Sequence, residues 1–303
     1  METQARGPAR ATPHRMSSRG AVRAGALVLV ATPIGNLGDI SPRAVEALAD
    51  ADVIYCEDTR RTRQLLTYVG VTGKRLVSLH EHNEAARVTS VLTRVSSGET
   101  VAVVSDAGTP AVSDPGLRIV RAVADKGLVV TIVPGPSAAI AALVVSGFET
   151  ERFCVEGFLP RRGSARRRRL EVIATDPRTT VIFEAPPRLA STLVDLAAVC
   201  GGDRLLAVAR ELTKVHEEIW RGSLDQAVEE FSSRAVRGEI AVVIEGSPET
   251  PRADDEEVRE ALRSRLEQGA SLRDAAAEVA DRLAVSRRHA YQLALDVRAE
   301  GSR

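Results

Sequence analysis

The stretch VSDAGTPAVSDPG at residues 104–116 decides how this chain is interpreted. A buried-strand pattern at residues 101–104 runs directly into it, and its thirteen residues include two Asp, two Gly, two Pro, two Ser and one Thr. Glycine and proline fix an unusual backbone path where regular hydrogen bonding ends. A surface turn needs only about two to five residues, whereas α/β proteins bind ligands in polar loops at the carboxyl ends of strands. The segment therefore predicts a ligand-binding loop.

Short β-branched runs alternate with helical patterns on both sides of this loop. Five runs are predicted as strands, at residues 27–30, 53–56, 76–79, 101–104 and 129–133. Five helices are predicted among them, at residues 42–51, 62–69, 84–95, 117–126 and 137–146. Because near-continuous apolar strands alternate with helices, residues 25–148 are expected to form an α/β domain whose sheet is covered on both faces.

A second series of elements begins after residue 148. Its predicted strands are at residues 153–156, 179–183, 205–209, 215–221 and 240–244. Its predicted helices are at residues 165–175, 188–199 and 224–232. The run at 215–221 alternates in a two-residue period, which predicts an antiparallel, half-exposed strand. The predicted fold class is therefore α/β, with a second domain at residues 149–247.

Two further segments flank these domains. Residues 1–24 carry five arginines and one acid without periodicity, which predicts a flexible basic tail. Residues 253–303 contain three amphipathic helical patterns. Ser286 is expected to cap the last helix, whose first turn carries Arg287 and Arg288. This spacing resembles a helix-turn-helix that enters a nucleic-acid groove, and it also fits a small helical cap or a dimer element.

Composition narrows the function classes. The 303 residues include 41 basic and 41 acidic side chains, so any signal for nucleic acid must be local. Aromatic residues make up only 3%, too few for the stacking platforms of single-strand binders. Cys56, Cys154 and Cys200 are unpaired by motif, which favours the cytoplasm and argues against a disulfide framework or a zinc site. No apolar run approaches the about 20 residues of a membrane span.

One local signal is the basic run RRGSARRRR at residues 161–169. Its six arginines are Arg161, Arg162, Arg166, Arg167, Arg168 and Arg169. Such a run can bind successive phosphates of RNA or DNA. Like-charge runs also occur on solvated faces, but mutual repulsion without a polyanion favours the nucleic-acid interpretation.

Two more polar loops follow predicted strands near the amino terminus. ATPIGNLGDI at residues 31–40 lets a ligand approach its backbone, but it is neither GxGxxG nor a P-loop, which argues against dehydrogenases and NTPases. CEDTRRT at residues 56–62 places Asp58 and Arg60 beside the expected cleft. The acid could orient a hydroxyl and the arginine could hold phosphate. A helix-capping Asp with an ion-paired Arg is the alternative.

Two further motifs have both a functional and a structural interpretation. HEHNE at residues 80–84 puts His80 and His82 on one face of a strand, as in a metal pair. No third ligand is evident, so a helix start capped by Asn83 is favoured. ARELTK at residues 209–214 places Lys214 near a strand end. There it could act as a base or orient a phosphate, or form an ordinary salt bridge.

Together these loops resemble one family. The segments TPIGNLGDI, EDTRRTRQLL, LHEHNE, VSDAGTPAVSDPG, PGPSAAIAAL, EGFLPRR, ARELTK and GEIAVVIEG have the order and spacing of the ribosomal RNA small subunit methyltransferase I family, a branch of the tetrapyrrole methylase superfamily. The similarity runs from about residue 27 to residue 246. One position departs from the family pattern: Pro187 in FEAPPRL stands where a histidine is frequent, so no role is assigned through that histidine.

The resemblance implies a two-domain tetrapyrrole-methylase-like fold that binds S-adenosylmethionine in a cleft between the domains. It implies methylation of a cytidine ribose 2′-hydroxyl in the decoding region of 16S rRNA, free or within the 30S subunit, by a homodimer that needs no metal. The implied donor residues are Pro33, Gly35, Asp106, Ala107, Gly108, Thr109, Ala111, Val112, Ala241 and Val242.

Methyl transfer to a hydroxyl requires in-line alignment and help with loss of the proton. Asp58 and then Lys214 are the expected catalytic residues for that proton. Arg60, the arginines at residues 161–169, Arg287 and Arg288 are expected to hold RNA. Two other functions remain open: methylation of a small tetrapyrrole or a protein side chain, which needs no arginine cluster, and RNA binding without catalysis, which needs no donor site.

Overall fold

The computed structural model describes residues 25–248, 254–283 and 285–300. The tail predicted at residues 1–24 lies outside these ranges. The described chain contains two five-stranded sheets, the helices that pack on them and a group of C-terminal helices. Within the described ranges, no helix is both long enough and apolar enough to cross a membrane.

The first sheet is entirely parallel and uses the predicted strands. These are β1 (Ala26–Val30), β2 (Val53–Cys56), β3 (Leu76–Ser78), β4 (Thr100–Val104) and β5 (Val129–Val133). The helices that follow them are α1 (Pro42–Asp50), α2 (Thr59–Tyr68), α3 (Glu84–Ser96), α4 (Leu117–Asp125) and α5 (Ala138–Ser146). The order across the sheet is β3-β2-β4-β1-β5, and parallel neighbours of this kind need crossover connections, here made by helices.

Capping residues decide where two helices begin. The Ser41 hydroxyl accepts a hydrogen bond from the Ala44 N–H at 3.1 Å, and Pro42 occupies the first helical position. Helix α2 begins at Thr59 rather than at residue 62. The reason is that the Asp58 carboxylate accepts the Arg60 N–H at 2.7 Å and caps the helix there.

Helices cover both faces of the first sheet. On one face α1 and α2 pack over side chains such as Val30 and Ile54. On the other face α3 and α4 pack over side chains such as Leu29 and Tyr55. The helices after the neighbouring strands β1 and β4 therefore lie on opposite faces, and their loops diverge at the carboxyl edge. Open α/β sheets bind ligands in a crevice of this kind.

The second sheet is mixed. Its strands are β6 (Phe153–Phe158), β7 (Thr179–Glu184), β8 (Leu205–Arg210), β9 (Glu218–Ser223) and β10 (Ile240–Ile244). Their order is β6-β7-β10-β8-β9, and only the β6–β7 pair is parallel. One face is covered by α6 (Gly163–Thr175), α7 (Leu189–Cys200) and α8 (Leu224–Ser232).

Helix α5 covers the other face of the second sheet. Its Ala139 and Leu143 pack with Val181 of β7 and Val243 of β10. The sequence analysis grouped this helix with the first domain, but its packing ties it to the second sheet. The chain thus crosses between the two sheets at residues 134–137, immediately before α5.

The strand predicted at residues 215–221 begins later, as β9. It pairs antiparallel with β8, as predicted, but Val215 is 96% exposed and precedes the strand. Glu211 and Thr213 have φ values of 52° and 66°, and the Thr213 N–H donates to the Glu217 carboxylate at 2.6 Å. This turn delays the strand, and hydropathy did not reveal it because Val215 happens to continue the two-residue period.

The C-terminal helices are α9 (Asp255–Glu267), α10 (Leu272–Arg282) and α11 (Arg287–Glu300). They pack around their own core, which includes Val258, Leu262, Val279 and Leu293. The Ser286 hydroxyl accepts the His289 N–H at 3.1 Å, so the predicted cap of the last helix is confirmed.

Candidate active site

A cavity of about 340 Å³ lies between the two domains. The first domain contributes the loops after β1, β4 and β5, at the carboxyl edge of its sheet. The second domain contributes the ends of β6, β7 and β8 and the start of β10. Ligand sites in proteins are mostly apolar clefts with a few convergent polar groups, and the wall of this cavity has that composition.

A backbone pair joins the loops after β1 and β4. The Thr32 N–H donates to the Gly108 carbonyl at 2.9 Å, and the Gly108 N–H donates to the Thr32 carbonyl at 3.0 Å. Gly108 has a φ of 80°, which side chains disfavour, and a Cβ there would lie 3.4 Å from Ile34 Cγ2. Glycine therefore leaves the backbone of the β4 loop open to a ligand in the cavity.

Glu84, the first residue of α3, fixes the far end of the β4 loop. Its buried carboxylate accepts the N–H groups of Gly116 at 3.0 Å and Arg118 at 2.8 Å, at the N-terminus of α4, where negative charge is favourable. Inside the loop Ala111 and Ser113 have φ values of 67° and 60°. Strained backbone of this kind concentrates at functional sites, and here a buried anchor holds it.

The HEHNE segment precedes a helix, as favoured from the sequence, but the Asn83 side chain makes no capping hydrogen bond to that helix. Helix α3 begins at Glu84, and the Asn83 side chain accepts the His80 N–H at 2.9 Å. The Asn83 amide also lies 3.0 Å from His80 Nε2. His80 is thus held in the turn that precedes α3.

Asp114 presents a carboxyl group with an unusual protonation equilibrium to the cavity. Burial and the neighbouring charge of Glu57 raise the pKa of Asp114 to about 6. The pKa of Glu57 is raised as well, by burial and by the charge of Asp106. A carboxylate with a pKa near neutrality is a stronger base than an ordinary aspartate and is still ionised at pH 7. This group can accept a proton from a hydroxyl bound in the cavity.

The predicted donor residues divide into two sets. Five of them line the cavity: Ala107, Gly108, Thr109, Val112 and Ala241. The other five are not among its lining residues: Pro33, Gly35, Asp106, Ala111 and Val242. Successive side chains of a strand point to opposite faces, so Val242 lies in the helix-covered core while Ala241 faces the cavity.

Two residues of the second set connect loops. The Asp106 carboxylate accepts the Asp58 N–H at 2.9 Å and lies 3.5 Å from the Arg61 guanidinium. Gly35 brings the two domains together, because a Cβ there would lie 2.4 Å from Lys214 Cγ. Asp106 and Gly35 therefore hold together the loops and domains that form the cavity, although neither is among its lining residues.

The two predicted catalytic residues each bind partners within the protein. A hydrogen bond from the Arg60 N–H lowers the pKa of Asp58, whose carboxylate caps α2. Burial alone would lower the pKa of Lys214, but hydrogen bonds to Glu211 at 2.8 Å and Glu239 at 3.1 Å outweigh burial and raise it. These contacts fit the helix-cap alternative for Asp58 and the salt-bridge alternative for Lys214.

The six arginines at residues 161–169 do not form one surface. Arg166 is 8% exposed, and its guanidinium donates to Asp195 at 2.9 Å, to the Thr192 hydroxyl at 2.9 Å and to the Pro160 carbonyl at 3.1 Å. The expectation that Arg166 contacts RNA is therefore wrong, because its donors are already engaged inside the protein.

The other arginines of the run are exposed. Arg169 pairs with Glu156 of β6 at 2.9 Å, and the remaining members, Arg161, Arg162, Arg167 and Arg168, stay available to a polyanion. Arg60 is also exposed, 3.6 Å from Asp58. On α11, Arg287 and Arg288 are exposed, and Arg287 pairs with Asp281 at 3.1 Å.

Most of the residues that line the cavity were not among the predicted site residues, including Asp114, Phe158 and Glu184. Asp114 lies within residues 104–116, but nothing local distinguishes it from Asp106. Phe158 ends the strand that leads into the arginine run. Glu184 is buried and pairs with Arg188 at 2.9 Å, which marks it as a structural anchor.

Comparisons with known proteins identify the family. The model of Tetrapyrrole (Corrin/Porphyrin) Methylases matches residues 26–228. The chain is 44% identical over 279 residues to ribosomal RNA small subunit methyltransferase I of Synechocystis sp., covering 91% of this chain and 100% of that protein. It is 49% identical over 257 residues to the protein of the same name from Mycobacterium tuberculosis, covering 84% and 89%.

A solved structure has the same fold at low sequence identity. Uroporphyrin-III C-methyltransferase from Thermus thermophilus, complexed with S-adenyl homocysteine, superposes with a TM-score of 0.52 and 15% identity over 72% of this chain and 96% of that one. The two-sheet architecture, the cavity between the sheets and the sequence matches lead to one assignment. The chain belongs to the tetrapyrrole methylase family and, within it, to the ribosomal RNA small subunit methyltransferase I family.

Proposed function

We propose that this protein uses S-adenosylmethionine to methylate the ribose 2′-hydroxyl of a cytidine in the decoding region of 16S rRNA. The observation that carries the proposal is the composition of the cavity between the domains. Its wall places the open backbone at Gly108 opposite apolar strand ends and includes the Asp114 carboxyl group. Exposed arginines follow the strand that ends at this wall, in a chain of the rRNA methyltransferase family.

The cavity fits S-adenosylmethionine in size and chemistry. Its volume of about 340 Å³ lies within the range of about 300–1,000 Å³ for small-molecule sites. The backbone at Ala107 and Gly108 would hold the amino-acid part, and Leu212 and Ala241 would pack on the adenosine part. When bound, the donor supplies an electrophilic methyl group on a positively charged sulfur. The acidic charge of Asp114 and Glu57 complements that positive charge.

The protein's own groups align the acceptor and remove its proton. The Asp114 carboxylate accepts the proton of the ribose hydroxyl as the oxygen becomes methylated, a contribution of about 10²- to 10⁴-fold in rate for a positioned base. The pair between Thr32 and Gly108 and the Glu84 anchor keep the loop that carries Asp114 rigid. Alignment by a rigid loop lowers the entropic barrier of a two-substrate reaction.

Exposed arginines hold the RNA. Arg161, Arg162, Arg167 and Arg168 form a basic surface beside the end of β6, and phosphate contacts of this kind position a nucleic acid without reading its sequence. Arg60 and the α11 residues Arg287 and Arg288 extend the contact. The substrate is 16S rRNA, free or within the small subunit, and the protein acts in the cytoplasm.

A second copy of the chain covers an apolar surface on α5. Ile140 and Val144, four residues apart on one face of α5, are exposed. Exposed apolar patches mark interaction surfaces. Val144→Glu is expected to shift the sedimentation of the protein to that of a monomer. Val194→Glu, at a similarly exposed site on α7, is expected to leave it unchanged.

The function is tested by mapping ribose methylation in rRNA from cells that lack this chain. One cytidine of the decoding region is expected to lose its 2′-O-methyl group and to regain it on re-expression of the wild-type chain. Asp114→Asn should fail to restore it, whereas Asp125→Asn, an exposed aspartate on α4, should restore it fully. Unchanged rRNA methylation in the deletion strain would contradict the proposal.

A further inference from the structure

Phe158 is unusual among the phenylalanines of this chain. It is 59% exposed, although it lines the cavity, while the other four phenylalanines are buried or half-buried. Burying a phenylalanine side chain typically stabilises a protein by about 1.5–3 kcal/mol. An aromatic ring left open in the wall of a ligand cavity therefore forgoes stability, which points to an occupant that covers it.

A β-bulge aims this ring into the cavity. Along the parallel pair of β6 and β7, Val155 is opposite Val181 and Gly157 is opposite Ile182, so Glu156 is the extra residue. A slip of one residue moves every following side chain to the other face of a sheet. The bulge thus sets Phe158 opposite Phe183, on the cavity face. Bulges often re-aim a side chain beside an active site.

Three ion pairs or hydrogen bonds hold the bulged segment in place. Glu156 pairs with Arg169 at 2.9 Å. The carbonyls of the two residues after Phe158 accept hydrogen bonds from Arg188 at 3.0 Å and Arg166 at 3.1 Å. The Phe183 ring supports Phe158 from the sheet, with ring centroids 5.7 Å apart. The exposed ring is therefore held in position before any ligand binds.

The strand end that carries the ring lies beside the loop that carries the proposed base. A Cβ on Gly157, the residue before Phe158, would lie 3.0 Å from Ser113 Oγ, and Ser113, Asp114 and Phe158 all line the cavity. In a nucleotide the 2′-hydroxyl is on the sugar carbon next to the one that carries the base. A ribose held with its hydroxyl at Asp114 therefore brings its base close to Phe158. The exposed Arg161 and Arg162 follow within the same segment, where the adjoining phosphates would lie.

From this geometry we infer that Phe158 is the stacking platform for the base of the nucleotide that is methylated. The inference rests on the proposed function and specifies how that RNA substrate is held. Sequence-specific proteins recognise RNA largely at unstacked bases, which they stack on aromatic side chains. Phe158 is thus a positioning residue, and the exposed arginines that follow it hold the backbone on either side.

A double substitution, of protein and of RNA, tests the inference. The measured quantity is the single-turnover methylation rate at sub-saturating enzyme, for wild-type and Phe158→Ala proteins. Each protein is assayed on reconstituted small subunits whose 16S rRNA carries either the target cytidine or an abasic ribose with its 2′-hydroxyl intact. Loss of one stacked base is expected to lower the rate about tenfold or more. The substituted protein and the abasic RNA should show similar losses, and their combination should lose no more than either.

Matched variants separate stacking from apolar contact. Phe158→Trp should retain most of the wild-type rate, whereas Phe158→Leu, which keeps apolar bulk without an aromatic face, should lose most of it. Binding of S-adenosylhomocysteine, measured by calorimetry, should be the same for Phe158→Ala and wild type. Val155→Ala, on the same strand before the bulge, should change neither quantity.

Several outcomes would overturn the inference while leaving the proposed function intact. If Phe158→Ala protein on abasic RNA lost rate by the product of the two single losses, Phe158 would act independently of the target base. Weaker S-adenosylhomocysteine binding by Phe158→Ala would place the donor on the ring, and a change in sedimentation would assign the ring to a subunit interface. Failure of wild-type protein to methylate the unmodified small subunit would instead contradict the proposed function itself.

Discussion

The two walls of the cavity are built on different principles. The wall from the first domain consists of loops at the edge of a parallel sheet, where backbone groups, strained residues and the Asp114 carboxyl group face the cavity. The wall from the second domain consists of strand ends and is mainly apolar and aromatic, and its two carboxylates, Glu184 and Glu239, pair with Arg188 and Lys214. We therefore assign proton removal to the first wall and the shape of the acceptor site to the second.

Buried charged groups stabilise both walls, in different ways. In the first wall the Glu84 carboxylate accepts backbone N–H groups at the end of the β4 loop. In the second wall Glu184 pairs with Arg188. The Thr192 hydroxyl donates a hydrogen bond to Glu184 and accepts one from Arg166. The Glu84 carboxylate thus holds the backbone of a loop, whereas the network around Glu184 joins a strand end to the helices beside it.

The largest effect is expected from Asp114→Asn, which removes the base from the first wall. An amide of the same shape cannot accept the proton, so the single-turnover rate should fall by about 100-fold or more. In the wild-type protein the rate should fall as the pH is lowered through about 6, because protonation then inactivates the base. A wild-type rate for Asp114→Asn, or a flat pH profile between about 5 and 8, would remove Asp114 from the mechanism.

The same substitution is expected to raise stability. The folded-state pKa of Asp114 lies above that of the unfolded chain, so its ionisation disfavours folding increasingly as the pH rises from about 4 to about 6. Asp114→Asn removes this penalty and should raise Tm at pH 7, while Tm at pH 4 should hardly change. Thermal unfolding at both pH values measures the difference, and a lower Tm at pH 7 would contradict the pKa assignment.

Gly108→Ala should affect the donor rather than the acceptor. A side chain at positive φ costs about 1–2 kcal/mol, and here the loop would relieve the strain by shifting in the cavity wall. The affinity for S-adenosylhomocysteine, measured by calorimetry, is expected to fall about tenfold. Gly127→Ala is the control, since Gly127 has a φ of 66° and open space around it. It should lose similar stability but no affinity.

Two neighbouring arginines should separate RNA binding from stability. Arg167→Ala is expected to weaken rRNA binding about threefold and to reduce the slope of log affinity against log salt by about 1, as for one lost phosphate contact. Arg166→Met should leave the slope unchanged and lower the free energy of unfolding by about 2 kcal/mol, because buried hydrogen bonds of a charged group are lost. A smaller salt slope for Arg166→Met together with an unchanged slope for Arg167→Ala would contradict the assignment of Arg166 to the protein interior and of Arg167 to RNA.

The smallest effect on rate is expected from Asp58→Ala. Loss of the α2 cap should lower the free energy of unfolding by about 1 kcal/mol in urea titrations, with the methylation rate within about twofold of wild type. Asp58→Ser retains a capping oxygen and should recover most of the stability. A large loss of rate in both variants, with donor binding intact, would return Asp58 to the catalytic residues.

Local patterns in the sequence were sufficient for most of the fold. The parallel strands of the first sheet and the caps at Ser41 and Ser286 follow from hydropathy and short-range chemistry. The β4 loop was located by its length and its glycine and proline content. The sequence pattern was insufficient in two places. Val215 continues the two-residue period of a strand although it follows a turn with positive φ values. The apolar sequence of α5 does not indicate which of the two sheets the helix covers.

The candidate site was only partly predictable. The sequence placed the cavity at the β4 loop, but it chose Asp58 and Lys214 over Asp114 as proton acceptors. A pKa depends on burial and on charges nearby in space, and Glu57 is distant in sequence from Asp114. The low aromatic content argued against base stacking, yet one ring becomes a platform because a bulge turns it toward the cavity.

The amino-acid sequence by itself determined the order of strands and helices, the ligand-binding loop and the family, because periodicity, turn chemistry and motif spacing are local properties. The tertiary structure alone decided which carboxyl group can act as a base, which arginines are free for RNA and which aromatic ring is open. Those properties depend on burial, charge and distance between segments that lie far apart in the chain, and no local pattern records them.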